Sequence, residues 1–332
     1  MKALIYANGS SIIGLGHIMR TLTLATELKK KGIYVEYIVD DSDDNAINLI
    51  EDNGFQIIRL ENILDYLLVN QKLKYDLAII DYYNLDEHEV NQFYNIANKI
   101  IYIDDLAKFN KYNMDILINT SIEALNIEYM GCAKKLLGPK YALLRDEFKN
   151  LKYTLPKATV EKIMLTLGGG DENNITKDIL DSLLDNYNNL EYHIVLGNSY
   201  KYKDYMIRNY KSKNINFHTN TNNMAEIMLS SDLAISAGGN TLYELSTCGI
   251  STIAVIIADN QRKFVQGIHR KTGLDYVDLV RENFEDTKDK FLDIFERNIK
   301  DYNYRRQISR KMFDLVDGNG SNIIVKEIMK LF

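Results

Sequence analysis

Leu233-Ala-Ile-Ser-Ala-Gly-Gly-Asn-Thr-Leu-Tyr-Glu244 is the stretch that decides the fold. An apolar β-type run ends in two glycines, and an apolar, helix-compatible stretch follows from Leu242. This is the pattern of a strand, a tight turn and a helix start. Gly238 and Gly239 are read as turn residues free to take positive φ and to let a ligand approach the backbone. Asn240 and Thr241 are good helix-capping types. A helix start exposes unpaired N–H groups and the positive end of a dipole, a combination that suits phosphate. Glu244, one turn in, is placed to accept from sugar hydroxyls. The stretch from Ser236 to Glu244 is therefore a candidate nucleotide-diphosphate site, with Ser236, Gly238, Gly239, Asn240, Thr241 and Glu244 as its members.

The same alternation runs through the chain. Lys2–Ala7, Tyr34–Val39, Gln56–Leu60, Leu77–Ile80 and Ile100–Ile103 read as strands. Helical patterns at His17–Lys31, Asp43–Asn53 and Asp86–Asn98 lie between them. After Pro156 the series restarts with Lys162–Leu167, Tyr192–Leu196, Ile215–His218, Asp232–Ser236 and Thr252–Ile256. Two runs of βα units predict an α/β protein of two Rossmann-like domains, each a parallel sheet covered by helices. The expected division is 1–150 and 151–332, with a linker near 149–160. From about 281 the chain reads as helix throughout. Ligands of open parallel sheets bind at the carboxyl ends of strands, so the polar clusters there are expected to meet in a cleft between the two domains.

At 332 residues, two domains are the natural prior. The 46% hydrophobic and 26% charged composition is that of a soluble globular protein, and the net charge of −6 argues against a nucleic-acid partner. No apolar run reaches membrane-spanning length, and Met1–Ala7 turns polar too soon for a signal peptide. Cys132 and Cys248 stand far apart, without metal or disulfide spacing, which fits a reducing cytoplasm.

Asn8-Gly-Ser-Ser-Ile-Ile-Gly-Leu-Gly-His-Ile-Met-Arg20 joins the first strand to the first helix. Gly14 and Gly16 make a tight turn, and His17 falls at the helix start. His17 and Arg20, three apart, share a helix face. The positive dipole end favours a neutral imidazole, which can act as a general base near pH 7. The plainer alternative is a histidine that only caps its helix. Gly168-Gly169-Gly170-Asp171 opens the second domain in the same way, and its glycines suit backbone contact with a ligand. Read alone, that segment is an ordinary βα turn capped by Asp171 or Asn173. Asn260 and Gln261, after another strand, are uncharged amides suited to sugar hydroxyl or acetamido groups. Asp81 to Asn84 and Asp104-Asp105 close the fourth and fifth strands, where Asp and Asn are more often turn formers. No metal site is expected from them. His88, His193, His218 and His269 are read as unrelated surface or packing residues.

Together these residues resemble a known family. Gly14-Leu-Gly-His-Ile-Met-Arg20 with Leu22-Thr-Leu-Ala25 is similar to the Gly-x-Gly-His-x-x-Arg signature of the UDP-sugar hydrolases of pseudaminic acid biosynthesis. The resemblance continues through Ile103–Ala107, Leu137–Phe148, Leu167–Asp171, Ser236–Glu244 and Asn260-Gln261. It covers most of the chain and thins after about 270. The second domain also resembles that of glycosyltransferases that add N-acetylglucosamine to lipid-linked muramyl pentapeptide.

The resemblance implies the GT-B architecture of two facing domains, with a last helix that packs back onto the first. It implies metal-independent, inverting hydrolysis of a UDP-linked 2,4-diacetamido-2,4,6-trideoxy sugar, with no cofactor. In that scheme His17 is the general base. Gly14, Gly16, Arg20, Tyr83, Asn260 and Gln261 contact the sugar. Gly169, Gly170 and the Ser236–Glu244 set hold the nucleotide. The family has a histidine where this chain has Tyr82, which leaves that position without a role. A glycosyltransferase using a UDP-amino sugar, a hydrolysing 2-epimerase and a non-catalytic nucleotide-sugar binder are the competing readings. The particular sugar and the oligomeric state are not legible.

Overall fold

The computed structural model describes residues 1–10, 14–72, 74–168, 171–197, 200–219, 221 and 223–332. The chain divides into two compact units, Met1–Asp146 with Asn319–Phe332, and Glu147–Gly318.

In chain order the first unit contains β1 (Lys2–Ala7), α1 (Gly16–Lys30), β2 (Tyr34–Val39), α2 (Asp44–Asp52), β3 (Gln56–Arg59) and α3 (Ile63–Val69). It continues with β4 (Tyr75–Asp81), α4 (Glu87–Gln92), β5 (Ala97–Ile103), β6 (Ile116–Asn119) and β7 (Lys134–Leu137). Its seven strands lie in the order β3-β2-β1-β4-β5-β6-β7, and every neighbouring pair is parallel. The central strands are mostly apolar because both faces are covered. Ile5, Tyr37, Ile79 and Ile101 pack on one face with Leu24 and Leu28 of α1. Leu4, Tyr6, Ile80 and Tyr102 pack on the other with Leu67 and Phe93.

The second unit contains β8 (Lys162–Thr166), α5 (Ile175–Tyr187), β9 (Glu191–Leu196), α6 (Lys203–Asn209), β10 (Ile215–Thr219), α7 (Met224–Ser230) and β11 (Leu233–Ala237). It continues with α8 (Thr241–Cys248), β12 (Thr252–Ile256), α9 (Gln261–Thr272), β13 (Asp275–Asp278), α10 (Phe284–Lys300) and α11 (Tyr302–Phe313). Its sheet order is β10-β9-β8-β11-β12-β13, again all parallel. Both sheets therefore reverse direction beside their first strand, the doubly wound order of Rossmann-like folds. That reversal puts the carboxyl ends of β1 and β4 side by side, and likewise those of β8 and β11.

The differences from the sequence reading are local. The expected helix over 86–98 stops at Gln92, because Phe93–Asn95 forms a 3-10 turn and Ala97 already pairs with Tyr75 in the sheet. The helical tail consists of three helices. Asp301 closes α10 and caps α11 through its carboxylate, and residues 314–319 separate α11 from α12 (Gly320–Met329). The last of these belongs to the first unit, where Ile324, Val325 and Ile328 enter the core beside α1. The division thus falls at 146/147 rather than 150/151, and 319–332 leaves the second unit. Strands β6, β7 and β13 were not anticipated. Each has four residues, and β7 and β13 are sheet edges.

Candidate functional site

In the first unit the site is built on the carboxyl ends of β1, β4 and β5. Asn8, fully buried after β1, accepts at Oδ1 from the backbone N–H groups of Asp40 and Asp41 and from the Ser42 hydroxyl, each at 3.0 Å. This ties the loop after β1 to the loop after β2. Gly14, at φ +79°, takes the left-handed conformation and turns the chain into α1. Among the described residues, a Cβ added at Gly14 or Gly16 would meet nothing within 4 Å.

His17 is the second residue of α1 and is 8% exposed. Its Nδ1 lies 2.8 Å from Oδ1 of Asp81, the fully buried last residue of β4. Arg20 donates through Nε and Nη2 to the two oxygens of Asp81, and through Nη1 to Asp105. The Tyr83 hydroxyl donates to the same Asp105 oxygen at 2.8 Å. The Tyr83 ring stands edge-on to His17, with centroids 4.4 Å apart.

Burial alone would raise the Asp81 carboxyl. The charges of Arg20 and His17 and their hydrogen bonds overcome it and hold the group down at about 2. An ionised carboxylate can only accept, so the proton in the 2.8 Å contact sits on His17 Nδ1. In the neutral imidazole the lone pair then lies on Nε2, to which nothing hydrogen-bonds among the described residues.

A carboxylate held below its unfolded value stabilises the fold fully above that value, near pH 4. The contribution is lost as pH falls through about 2. The stability gap between the native chain and Asp81→Asn is expected to be about 2 kcal/mol at pH 6 and to close between pH 4 and 2. Urea unfolding across that range checks it, and a gap independent of pH contradicts the assignment.

Two expectations change in this unit. Arg20 was read as a substrate contact. It is 7% exposed and has Nε, Nη1 and Nη2 on carboxylates, so it is a buried brace. Asp81 was read as a turn former, yet it is the buried partner of His17 and Arg20. Asp104, by contrast, does form a turn, accepting from the N–H groups of Leu106 and Ala107 and from the Tyr112 hydroxyl.

In the second unit, Asp171 fills the start of α5, accepting from the N–H groups of Ile175 and Thr176 at 2.8 Å each. A carboxylate already occupies the place where an anion would bind. The start of α8 is different. Asn240 precedes it with no side-chain cap, and the N–H groups of Asn240 and Thr241 have no backbone partner among the described residues. Of these two helix starts, α8 is the one left open to a phosphate.

Neither Gly238 nor Gly239 has positive φ, contrary to the sequence reading. Gly238 is required by space, because an added Cβ would lie 2.3 Å from Val265 Cγ2 and 3.1 Å from Gln261 Cβ. Gly239 faces open space. The turn after β11 thus packs directly on α9, beside Gln261. The Gln261 Oε1 accepts from Ile257 N at 3.0 Å, which commits its carbonyl and leaves its amide N–H₂. Asn260 is exposed, with no capping bond, and Glu244 is half-buried in the first turn of α8.

Ser236 is fully buried in β11, with its hydroxyl on the Ala237 carbonyl, so it leaves the contact set. Gly169 and Gly170 lie outside the described residues. His193 and His218, read as unrelated, are stacked with ring centroids 5.1 Å apart and share a 2.9 Å Nδ1–Nε2 hydrogen bond. Adjacent strands β9 and β10 bring them together. No group of three or more His, Cys, Asp or Glu among the described residues forms a set suited to a metal ion. No helix among them is long and apolar enough to cross a membrane.

The chain has the GT-B glycosyltransferase fold, and its residues 164–308 match the glycosyltransferase family 28 C-terminal domain. MurG of Acinetobacter baumannii has the same fold, with a TM-score of 0.68 over 99% of this chain and 100% of MurG at 14% identity. An uncharacterized protein of Methanocaldococcus jannaschii is 30% identical over 297 residues, 86% of this chain and 61% of that protein. The UDP-2,4-diacetamido-2,4,6-trideoxy-β-L-altropyranose hydrolase of Campylobacter jejuni is 30% identical over 194 residues, 55% of this chain and 66% of the hydrolase.

Proposed function

We propose that the protein hydrolyses a UDP-linked 2,4-diacetamido-2,4,6-trideoxy sugar to free sugar and UDP, in pseudaminic (nonulosonic) acid biosynthesis. The observation that carries the reading is the His17–Asp81 pair, which fixes a proton on Nδ1 and leaves Nε2 as a base. The similarity to the Campylobacter hydrolase supports the substrate class.

In this reading His17 Nε2 takes a proton from water as the water oxygen attacks the anomeric carbon. The bond from that carbon to the phosphate oxygen breaks, and UDP leaves with the electron pair. Attack opposite the leaving group inverts the anomeric centre. Asp81 balances the imidazolium as it forms, a stabilisation that a buried carboxylate supplies without reorganising. The charge growing on the diphosphate is met by the open N–H groups at the start of α8, so the chemistry needs no metal ion. Glu244 takes sugar hydroxyls of the nucleotide, and Asn260 with the Gln261 N–H₂ takes acetamido oxygens.

The test is a panel of UDP-diacetamido sugars in chelator without acceptor, followed by NMR in real time. UDP release with a free sugar of inverted configuration is the expected result. The match of residues 164–308 to a glycosyltransferase domain favours a second reading, in which His17 deprotonates an acceptor hydroxyl instead of water. Binding without release in the same assay would decide for that reading.

A further inference from the structure

Asp105 carries two hydrogen bonds that its place in the sequence does not announce. Its neighbour Asp104 is spent on the turn after β5. Asp105 instead points one oxygen, Oδ2, at two donors from other segments, Nη1 of Arg20 on α1 and the hydroxyl of Tyr83 after β4. Its side chain is 23% exposed, against 8% for Arg20. Arg20 in turn grips both oxygens of Asp81, Asp81 holds His17 Nδ1, and the Tyr83 ring lies edge-on to the imidazole. The chain of contacts runs from His17 through Asp81, Arg20, Asp105 and Tyr83 and returns to His17.

We propose that Asp105 is a positioning residue for His17, fixing the imidazole through Arg20 on one side and through Tyr83 on the other. This rests on the reading of His17 as the base.

The physical need is plain. The outer torsion of a histidine is broad, and contacts at Nδ1 alone, with Asp81 at 2.8 Å and Arg20 Nη2 at 3.2 Å, leave the ring free to rock about that end. The Tyr83 edge stops that motion only while its hydroxyl is tied down. Burial first, and then the Asp105 charge, push the Tyr83 phenol well above its ordinary value, so it stays a donor. The charges close as well. One guanidinium lies between two carboxylates, so the cluster is singly negative with a neutral imidazole and neutral once His17 takes the proton. Around the cluster, the Lys108 ammonium donates to the Tyr83 carbonyl, and the Tyr37 hydroxyl of β2 lies 3.4 Å from Thr21 Oγ1.

The test compares Asp105→Ala, Asp105→Glu and Tyr83→Phe with the native enzyme. For Asp105→Ala, kcat is expected to fall about 10–100-fold, the cost of a base misplaced by about 1 Å. KM and the Kd for UDP should stay within about twofold, and Asp105→Glu should restore part of the rate. The hydrogen-bonded Nδ1 proton of His17 should give a far-downfield NMR signal in the native protein that broadens or vanishes in Asp105→Ala. Either a kcat within about twofold of native or an unchanged Nδ1 signal overturns the proposal. If Asp105→Ala does not fold, Tyr83→Phe removes the second arm alone and must weaken the same signal and lower kcat. The signal is read without substrate. A native protein that releases no UDP but responds this way would therefore sink the hydrolase reading and leave the brace standing.

Discussion

Replacing His17 by alanine is expected to lower kcat by about 10²–10⁴-fold, the usual worth of a positioned general base. The affinity for UDP should stay within about twofold of native. The prediction separates chemistry from binding because the residues assigned to each lie on different elements. His17 starts α1, whereas the open N–H groups belong to α8. The variant should fold, since Arg20 still holds both oxygens of Asp81 and no buried charge is stranded. Steady-state rates and UDP titration calorimetry measure the two quantities. Turnover within tenfold of native would mean that another group is the base.

The second large effect belongs to the turn after β11. Gly238→Ala forces a Cβ to within 2.3 Å of Val265, a fully buried residue of α9. Overpacking of this kind costs about 1–3 kcal/mol. Because the turn leads straight into α8, its displacement also moves the N–H groups to which the diphosphate is assigned in the proposed function, and UDP affinity should fall at least about tenfold. Gly239→Ala is the informative contrast. Its Cβ meets nothing within 4 Å and its φ is not positive, so the fold should keep its stability. If the turn is the diphosphate seat, that variant still loses UDP affinity, because the new methyl stands where the ligand approaches. Thermal melts and UDP titrations of both variants read the difference. Normal UDP binding by Gly239→Ala would remove this turn from the site.

The fold was legible because its central strands are continuous apolar runs. Lys2–Ala7 and Thr252–Ile256 can be read largely from composition, since a strand buried on both faces has little room for polar residues. The strands that escaped notice are short, and two lie at edges. Lys134-Lys-Leu-Leu137 and Asp275-Tyr-Val-Asp278 carry charge because one side of an edge strand meets solvent.

The candidate site was legible in the sequence only in part. His17 and the β11 turn were proposed from residue type and local spacing. Asp81 and Asp105 do not, because their meaning depends on which strands are neighbours. The signal lay in the sheet order. Once β4 is placed beside β1, Ala7 stands opposite Asp81, and the last residue of β4 must face the start of α1. Gly238 escaped for a related reason. Glycine was credited with backbone freedom, whereas the packing of α9 asks only for the absence of a side chain. Ser236 and Arg20 were misread because a sequence motif does not show which way a polar side chain is spent.

The most direct test of the central claim is hydrolysis of the UDP-diacetamido sugar in H₂¹⁸O without an acceptor, with both products analysed by mass spectrometry. If His17 directs water at the anomeric carbon, the label enters the free sugar and UDP carries none. Label in the β-phosphate of UDP would mean attack at phosphorus. Failure to release UDP until an acceptor is supplied would mean that the base serves transfer rather than hydrolysis.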